Sequence, residues 1–120
     1  MATTLVIGAS ENPDRYSYKV AVMLINHGHE VVLYGVKEGE VLGHKFTTVF
    51  PTEIKDLDTV TLYVNPTIQK NYYAKILALQ PRRVIFNPGT ENPEFEDMCR
   101  EAGIQSEESC SLVLLSTGQY

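Results

Sequence analysis

Short aliphatic runs recur along the chain, and each is followed by a stretch whose apolar positions fall three and four apart. Thr4-Leu5-Val6-Ile7-Gly8 is continuous rather than alternating, which marks a strand buried on both faces. From Tyr16 the spacing of Val20, Met23, Leu24 and His27 predicts a helix, with Gly28 where a left-handed cap is wanted. Glu30-Val31-Val32-Leu33-Tyr34 is the second strand, and after a glycine-rich stretch residues 45–49 suit a short edge strand. Thr59-Val60-Thr61-Leu62-Tyr63-Val64 is the fourth, ending at Asn65-Pro66, a good N-cap followed by proline at the first helical position. Ile68, Tyr72, Ile76 and Leu79 then line one face of a single helix. Arg83-Val84-Ile85-Phe86 is the fifth strand, and Asn92-Pro93 opens a helix with Phe95, Met98, Cys99 and Ala102 on its apolar face. Gly103 closes that helix, Ile104-Gln105-Ser106-Glu107 is a weak last strand, and residues 112–115 are a short apolar tail.

Alternation of helices with non-alternating strands implies a parallel sheet covered on both faces. Right-handed crossovers leave few ways to arrange it. The expectation is one α/β domain over residues 1–120, a Rossmann-type doubly wound sheet with strand order 3-2-1-4-5-6. That order opens a ligand crevice between the first and fourth strands. The residues just after each strand line it: Gly8-Ala9-Ser10-Glu11-Asn12-Pro13, residues 35–38, Asn65-Pro66 and Asn87-Pro88-Gly89.

A chain of 120 residues has room for one proper core. Its 10 basic against 15 acidic side chains leave a net charge of -5, the wrong sign for gripping nucleic acid by its phosphates. Cys99 and Cys110 match no metal or redox spacing and suit a reducing compartment. The first residues lack a basic n-region, and no apolar run approaches a membrane span, so a cytoplasmic protein away from membranes is expected.

The turn after the first strand keeps only the first glycine of a dinucleotide fingerprint. That glycine permits the tight turn, and Ser10 offers a hydroxyl as well as an amide. The helix beginning at Tyr16 points free N–H groups and its positive dipole end at the same place, with Arg15 beside it. An NAD site wants an acidic residue at the end of the second strand, yet the chain there reads Leu33-Tyr34-Gly35-Val36-Lys37. Lys37 suits a ribose carrying an extra phosphate, that of coenzyme A or NADP.

These segments resemble the stand-alone CoA-binding proteins, which are similar to the nucleotide-binding domain of the succinyl-CoA synthetase alpha subunit. The resemblance rests on Gly8-Ala9-Ser10-Glu11-Asn12-Pro13, Leu33-Tyr34-Gly35-Val36, Val41-Leu42-Gly43, Asn87-Pro88-Gly89-Thr90-Glu91 and the Cys110 segment, in that order along nearly the whole chain. It implies that Gly8, Ala9, Ser10 and Asn12 hold CoA phosphates, and that Val36 and Lys37 lie along the adenosine end. It implies that Val64, Asn65, Pro66, Phe86, Asn87 and Pro88 wall the crevice, and it aligns Cys110 with a cysteine that the family often carries. The chain departs from the pattern at Val36-Lys37-Glu38, where many relatives have Val-Asn-Pro. The synthetase's catalytic histidine belongs to a second domain that has no counterpart in this sequence.

Other chemistry-bearing residues have structural explanations. His27, His29 and His44 have no carboxylate or cysteine placed to complete a metal shell, and a histidine at a helix C-terminus favours the dipole. Ser10 lacks a nucleophile elbow and a base. Glu91, Glu94, Glu96 and Asp97 suit a solvated helix start. Cys99 falls on an apolar helix face and reads as an inert core thiol, whereas Cys110 follows the last strand. The resulting expectation is a module that binds coenzyme A or an acyl-CoA without chemistry of its own. The alternatives are an NADP-dependent oxidoreductase or nucleotide-sensing subunit, and a scaffold whose protein partner carries the catalytic domain.

Overall fold

Five parallel strands make the main sheet in the computed structural model, which describes residues 2–120. The strands are β1 (Thr3–Ile7), β2 (Glu30–Tyr34), β5 (Leu57–Leu62), β6 (Arg83–Phe86) and β7 (Gln105–Glu108), with a separate hairpin of β3 (Glu40–Val41) and β4 (His44–Lys45). Helices α1 (Tyr16–Asn26), α2 (Pro66–Gln69), α3 (Tyr73–Leu79), α4 (Pro93–Glu101) and α5 (Ser111–Ser116) complete the chain. The sheet order is β2-β1-β5-β6-β7, a Rossmann-like arrangement with β1 between the two halves.

The expected order 3-2-1-4-5-6 is therefore corrected at its edge. Residues 45–49 do not form a strand of the main sheet. Leu42 and Gly43 both take positive φ, 49° and 81°, which closes β3 and β4 into a tight hairpin instead. Only Thr47 reaches the β2 edge, accepting from the Gly35 amide and donating its own amide to Leu33 O. Its hydroxyl then donates to Val49 O at 2.8 Å, which turns the chain away after one bridge.

The five residues of β1 are all buried, so its continuous apolar run feeds both faces. Leu5 and Ile7 join Val60, Leu62, Val84 and Phe86 in a core covered by Ile76 of α3 and by Phe95 and Cys99 of α4. Val6 points the other way and packs with Val20 and Leu24 of α1 and Leu115 of α5. Each fully buried side chain of the Leu, Ile or Phe type contributes about 1.5–3 kcal/mol. The apolar tail expected at residues 112–115 is thus a helix. Its Ser111 is fully buried, its hydroxyl 2.9 Å from that of Thr61 on β5.

The helix expected after Asn65 is broken in two. Asn71 and Tyr72 donate to Ile68 O and Gln69 O, tight bonds between residues three apart that end α2 after one turn. The break lets Tyr72 turn inward against Tyr34 and Phe50, with ring centroids 5.5 and 5.3 Å away. Ile68 consequently does not share the core face with Ile76 and stays 40% exposed. The acidic start of α4 is only partly solvated. Glu96 is buried and accepts from the amide of the N-cap Asn92, and burial, reinforced by Glu108, raises its pKa.

Cys99 and Cys110 differ as their positions require. Cys99 is wholly buried, and burial pushes its thiol up to about 11; Cys110 is partly exposed. In an unfolded chain the Cys99 thiol would ionise near 9, so the folded state keeps it protonated across that interval. Iodoacetamide at pH 8 should label Cys110 and spare Cys99 in the folded protein, and label both in denaturant. Equal labelling of both thiols in the folded protein, read by peptide mass, would contradict this core.

Candidate functional site

A cleft of about 940 Å³ opens where β1, β2, β5 and β6 end. Its floor is the turn after β1. Gly8 sits at φ +96°, and a β-carbon there would lie 3.0 Å from Tyr63 O and 3.1 Å from Val64 Cγ1. The glycine is needed because the turn runs against the backbone leaving β5, as well as for its dihedral.

The amides of Gly8 and Ala9 both donate to Tyr34 O, at 3.1 and 2.9 Å, tying the turn to the end of β2. Ser10 Oγ accepts from the Asn12 amide, Asn12 Oδ1 from the Asp14 amide, and Asn12 O from the Arg15 amide. These bonds shape the loop and leave specific donors over. Among the described residues the amides of Ser10 and Glu11, and those of Tyr16 and Ser17 at the start of α1, make no hydrogen bond. Arg15 is the N-cap of α1 and its side chain does not cap it, and no acidic residue occupies the first turn. No side chain of the first turn offsets the positive end of the helix.

Charge is distributed unevenly around the opening. Glu11, Asp14, Arg15, Lys37 and Glu38 all come from the loops after β1 and β2. Glu11 is turned aside: its Oε2 accepts from the Glu40 amide at 3.0 Å, and it packs so closely over Gly39 that a β-carbon there would fall 2.8 Å from it. This contact joins the turn to the loop bearing Val36 and Lys37. Val36 is 80% exposed, an apolar surface at the mouth of the cleft. The loops after β5 and β6 bring Tyr63, Val64, Asn65, Ile68, Pro88 and Thr90 to the opposite side, with no charged group among them. Burial raises the pKa of the Tyr63 hydroxyl, which is therefore a neutral group at ordinary pH.

Of the residues singled out from the sequence, Gly8, Ala9, Ser10, Asn12, Arg15, Val36, Lys37, Val64, Asn65 and Pro88 line this cleft. Pro66, Phe86, Asn87 and Cys110 lie outside its lining. Pro66 opens α2, whose Ile68 amide is capped by Asn65 Oδ1 at 2.9 Å. Phe86 is fully buried, edge-on to Phe95 at 5.9 Å. Asn87 is a buried bracket: Nδ2 donates to Thr61 Oγ1 and Leu62 O, and Oδ1 accepts from the Ser111 amide. Cys110 is the N-cap residue of α5.

Tyr63, Ile68 and Thr90 line the cleft without having been singled out for it. Tyr63 lay inside the expected strand, Ile68 on the expected core face of an unbroken helix, and Thr90 in a segment quoted only for its resemblance. Asn-Pro at residues 65–66 was the available signal for the first two, since it marks where the chain leaves the sheet.

Gly8→Ala should destabilise the protein by about 1–3 kcal/mol, through a strained dihedral and the forced retreat of the Tyr63 backbone. Chemical denaturation measures this directly, and an unchanged midpoint would show that the turn is not confined as described.

A family model described as a CoA binding domain matches residues 2–116. Among solved structures, an uncharacterized protein is 48% identical with a TM-score of 0.95, over 100% of this chain and 98% of that one. A hypothetical protein from Pyrococcus horikoshii OT3 is 30% identical with a TM-score of 0.82, over 96% of this chain and 81% of that one. A protein from Thermus thermophilus, 24% identical with a TM-score of 0.87 over 99% and 90% of the two chains, shares the fold. No curated protein matches. By the family match over residues 2–116, the chain belongs to the stand-alone CoA-binding domain proteins.

Proposed function

We propose that the cleft binds coenzyme A or an acyl-CoA, and that the chain acts as a binding module without catalysing a reaction itself. The observation that carries the reading is the set of unpartnered amides at Ser10, Glu11, Tyr16 and Ser17, grouped at the uncapped start of α1. Backbone N–H groups at a helix N-terminus favour a phosphate without needing a net positive cleft. The pyrophosphate lies there, with the Ser10 hydroxyl free to donate because its oxygen already accepts from Asn12.

The adenosine end lies over the exposed Val36 surface, and Lys37 pairs with the extra ribose phosphate. The absence of a carboxylate where β2 ends supports a phosphorylated ribose over that of NAD. The pantetheine arm crosses to the uncharged loops after β5 and β6. A neutral chain brings no charge to desolvate against that wall, and its amides need hydrogen bonds there to replace those to water. The cleft size falls at the upper end of the range for small-molecule sites, which suits a long ligand that remains partly outside it.

Differential scanning fluorimetry with CoA, acetyl-CoA, dephospho-CoA, NAD, NADP and ATP tests the reading. A ligand at one hundred times its dissociation constant should add ~2.7 kcal/mol of stability. CoA and acetyl-CoA should stabilise most; stabilisation by NADP with none from CoA would replace this reading by that of an NADP-dependent protein. Lys37→Ala should weaken CoA by about 1–2 kcal/mol and leave dephospho-CoA nearly unchanged, as expected for one charge-assisted bond. Equal losses for the two ligands in titration calorimetry would remove Lys37 from the phosphate.

A further inference from the structure

The uncharged wall of the cleft is two loops held together by one buried side chain. Gln69, the last residue of α2, has no exposed surface. Its Nε2 donates to Val64 O at 2.9 Å and to Thr90 O at 2.8 Å, and both of those residues line the cleft. Its Oε1 accepts from Asn92 Nδ2 at 2.9 Å, so each of its hydrogen-bonding atoms is engaged. Asn92 also donates to the Tyr73 hydroxyl at 2.7 Å, which donates to Glu94 at 3.0 Å on the surface.

A primary amide spanning two carbonyls has one productive geometry, and in a dry interior those bonds are not exchanged for water. The separation of the loop after β5 from the loop after β6 is thus set by the length and rotamer of Gln69. No backbone pairing does this work at that level, because the ladder between β5 and β6 ends at Leu62 and Phe86.

The nucleotide half of the opening has different supports. The turn after β1 is tied to Tyr34 O and to its own side chains, and Glu11 holds the loop after β2 through Glu40. None of these bonds passes through Gln69; the two halves meet only where the Gly8 turn packs on Tyr63 and Val64, a contact held by the Tyr63 amide to Ile7 O and not by Gln69.

We propose that Gln69 is a positioning residue for the pantetheine arm: without touching the ligand it sets the width of the uncharged half of the cleft, and leaves the nucleotide half unaffected. This rests on the reading of the cleft as a CoA site. It separates the affinity for the whole ligand from the affinity for its nucleotide fragment.

Titration calorimetry with CoA and with adenosine 3′,5′-bisphosphate, which lacks the arm, tests it on the full chain. Gln69→Met keeps the volume and removes all three bonds. It should weaken CoA about tenfold or more while leaving the fragment within about twofold. A purely structural role would weaken both ligands alike or neither, and either result overturns the proposal. Gln69→Glu, which keeps the Asn92 contact but sets a carboxylate against two carbonyls, should repeat the pattern. Should neither variant fold, Tyr73→Phe loosens the outer end of the same chain of bonds. It should cost CoA about two- to fivefold and the fragment nothing, and unchanged CoA affinity then overturns the proposal. Failure of the wild type to bind CoA would instead remove the functional reading on which this one stands.

Discussion

The approach of the Gly8 backbone to the backbone leaving β5 is the constraint on which the rest of this structure depends. At residues 7–9 the central strand is bonded on both sides: Ile7 O accepts from the Tyr63 amide, and the amides of Gly8 and Ala9 donate to Tyr34 O. The ends of three adjacent strands therefore meet at a residue with no side chain. Had the chain a β-carbon there, β5 would have to recede from the floor of the cleft. Because β1 lies between the two halves of the sheet, the crossovers depart from it in opposite senses, and a crevice opens at its carboxyl end.

The cleft divides its chemistry along the same line. Every charged lining residue belongs to the β1 and β2 side, and the β5 and β6 side is neutral. Three of those charged residues, Glu11, Asp14 and Glu38, are acidic, against the cations Arg15 and Lys37. A phosphate site built on side-chain charge would be poor under that balance. One built on backbone amides and a helix dipole is not, since those partial charges are fixed in direction and Glu11 is drawn away to Glu40.

Two buried carboxamides hold the walls. Asn87 ties the end of β6 to β5 and to the first turn of α5, and Gln69 ties the loops beyond. Both satisfy their polar atoms completely, and among the described residues no buried side-chain nitrogen or oxygen lacks a partner. In a dry interior a carboxamide that lost one partner would pay the full desolvation cost of the group left over. That penalty makes these loops rigid although they have no strand pairing.

Local chemistry alone determined much of this protein. The strands Glu30–Tyr34 and Arg83–Phe86 fall where their short apolar runs put them: Arg83–Phe86 is buried throughout, and the edge strand Glu30–Tyr34 is buried at Leu33 and Tyr34. Asn65 and Asn92 cap the helices that follow them, a preference expressed within four residues of chain. The turn after β1 was legible for the same reason. Tertiary structure decided what depends on residues distant in sequence. The edge strand gave way to a hairpin once Leu42 and Gly43 took positive φ. The helix after Asn65 broke so that Gln69 could reach Thr90 and Tyr72 could reach Tyr34 and Phe50. Asn87, which reads as a wall of the crevice, is spent inside it on Thr61, Leu62 and Ser111. A polar side chain in a loop carries the same local signal whether it faces a ligand or a buried carbonyl, and only the packing of segments some 20 to 30 residues away settles which it meets.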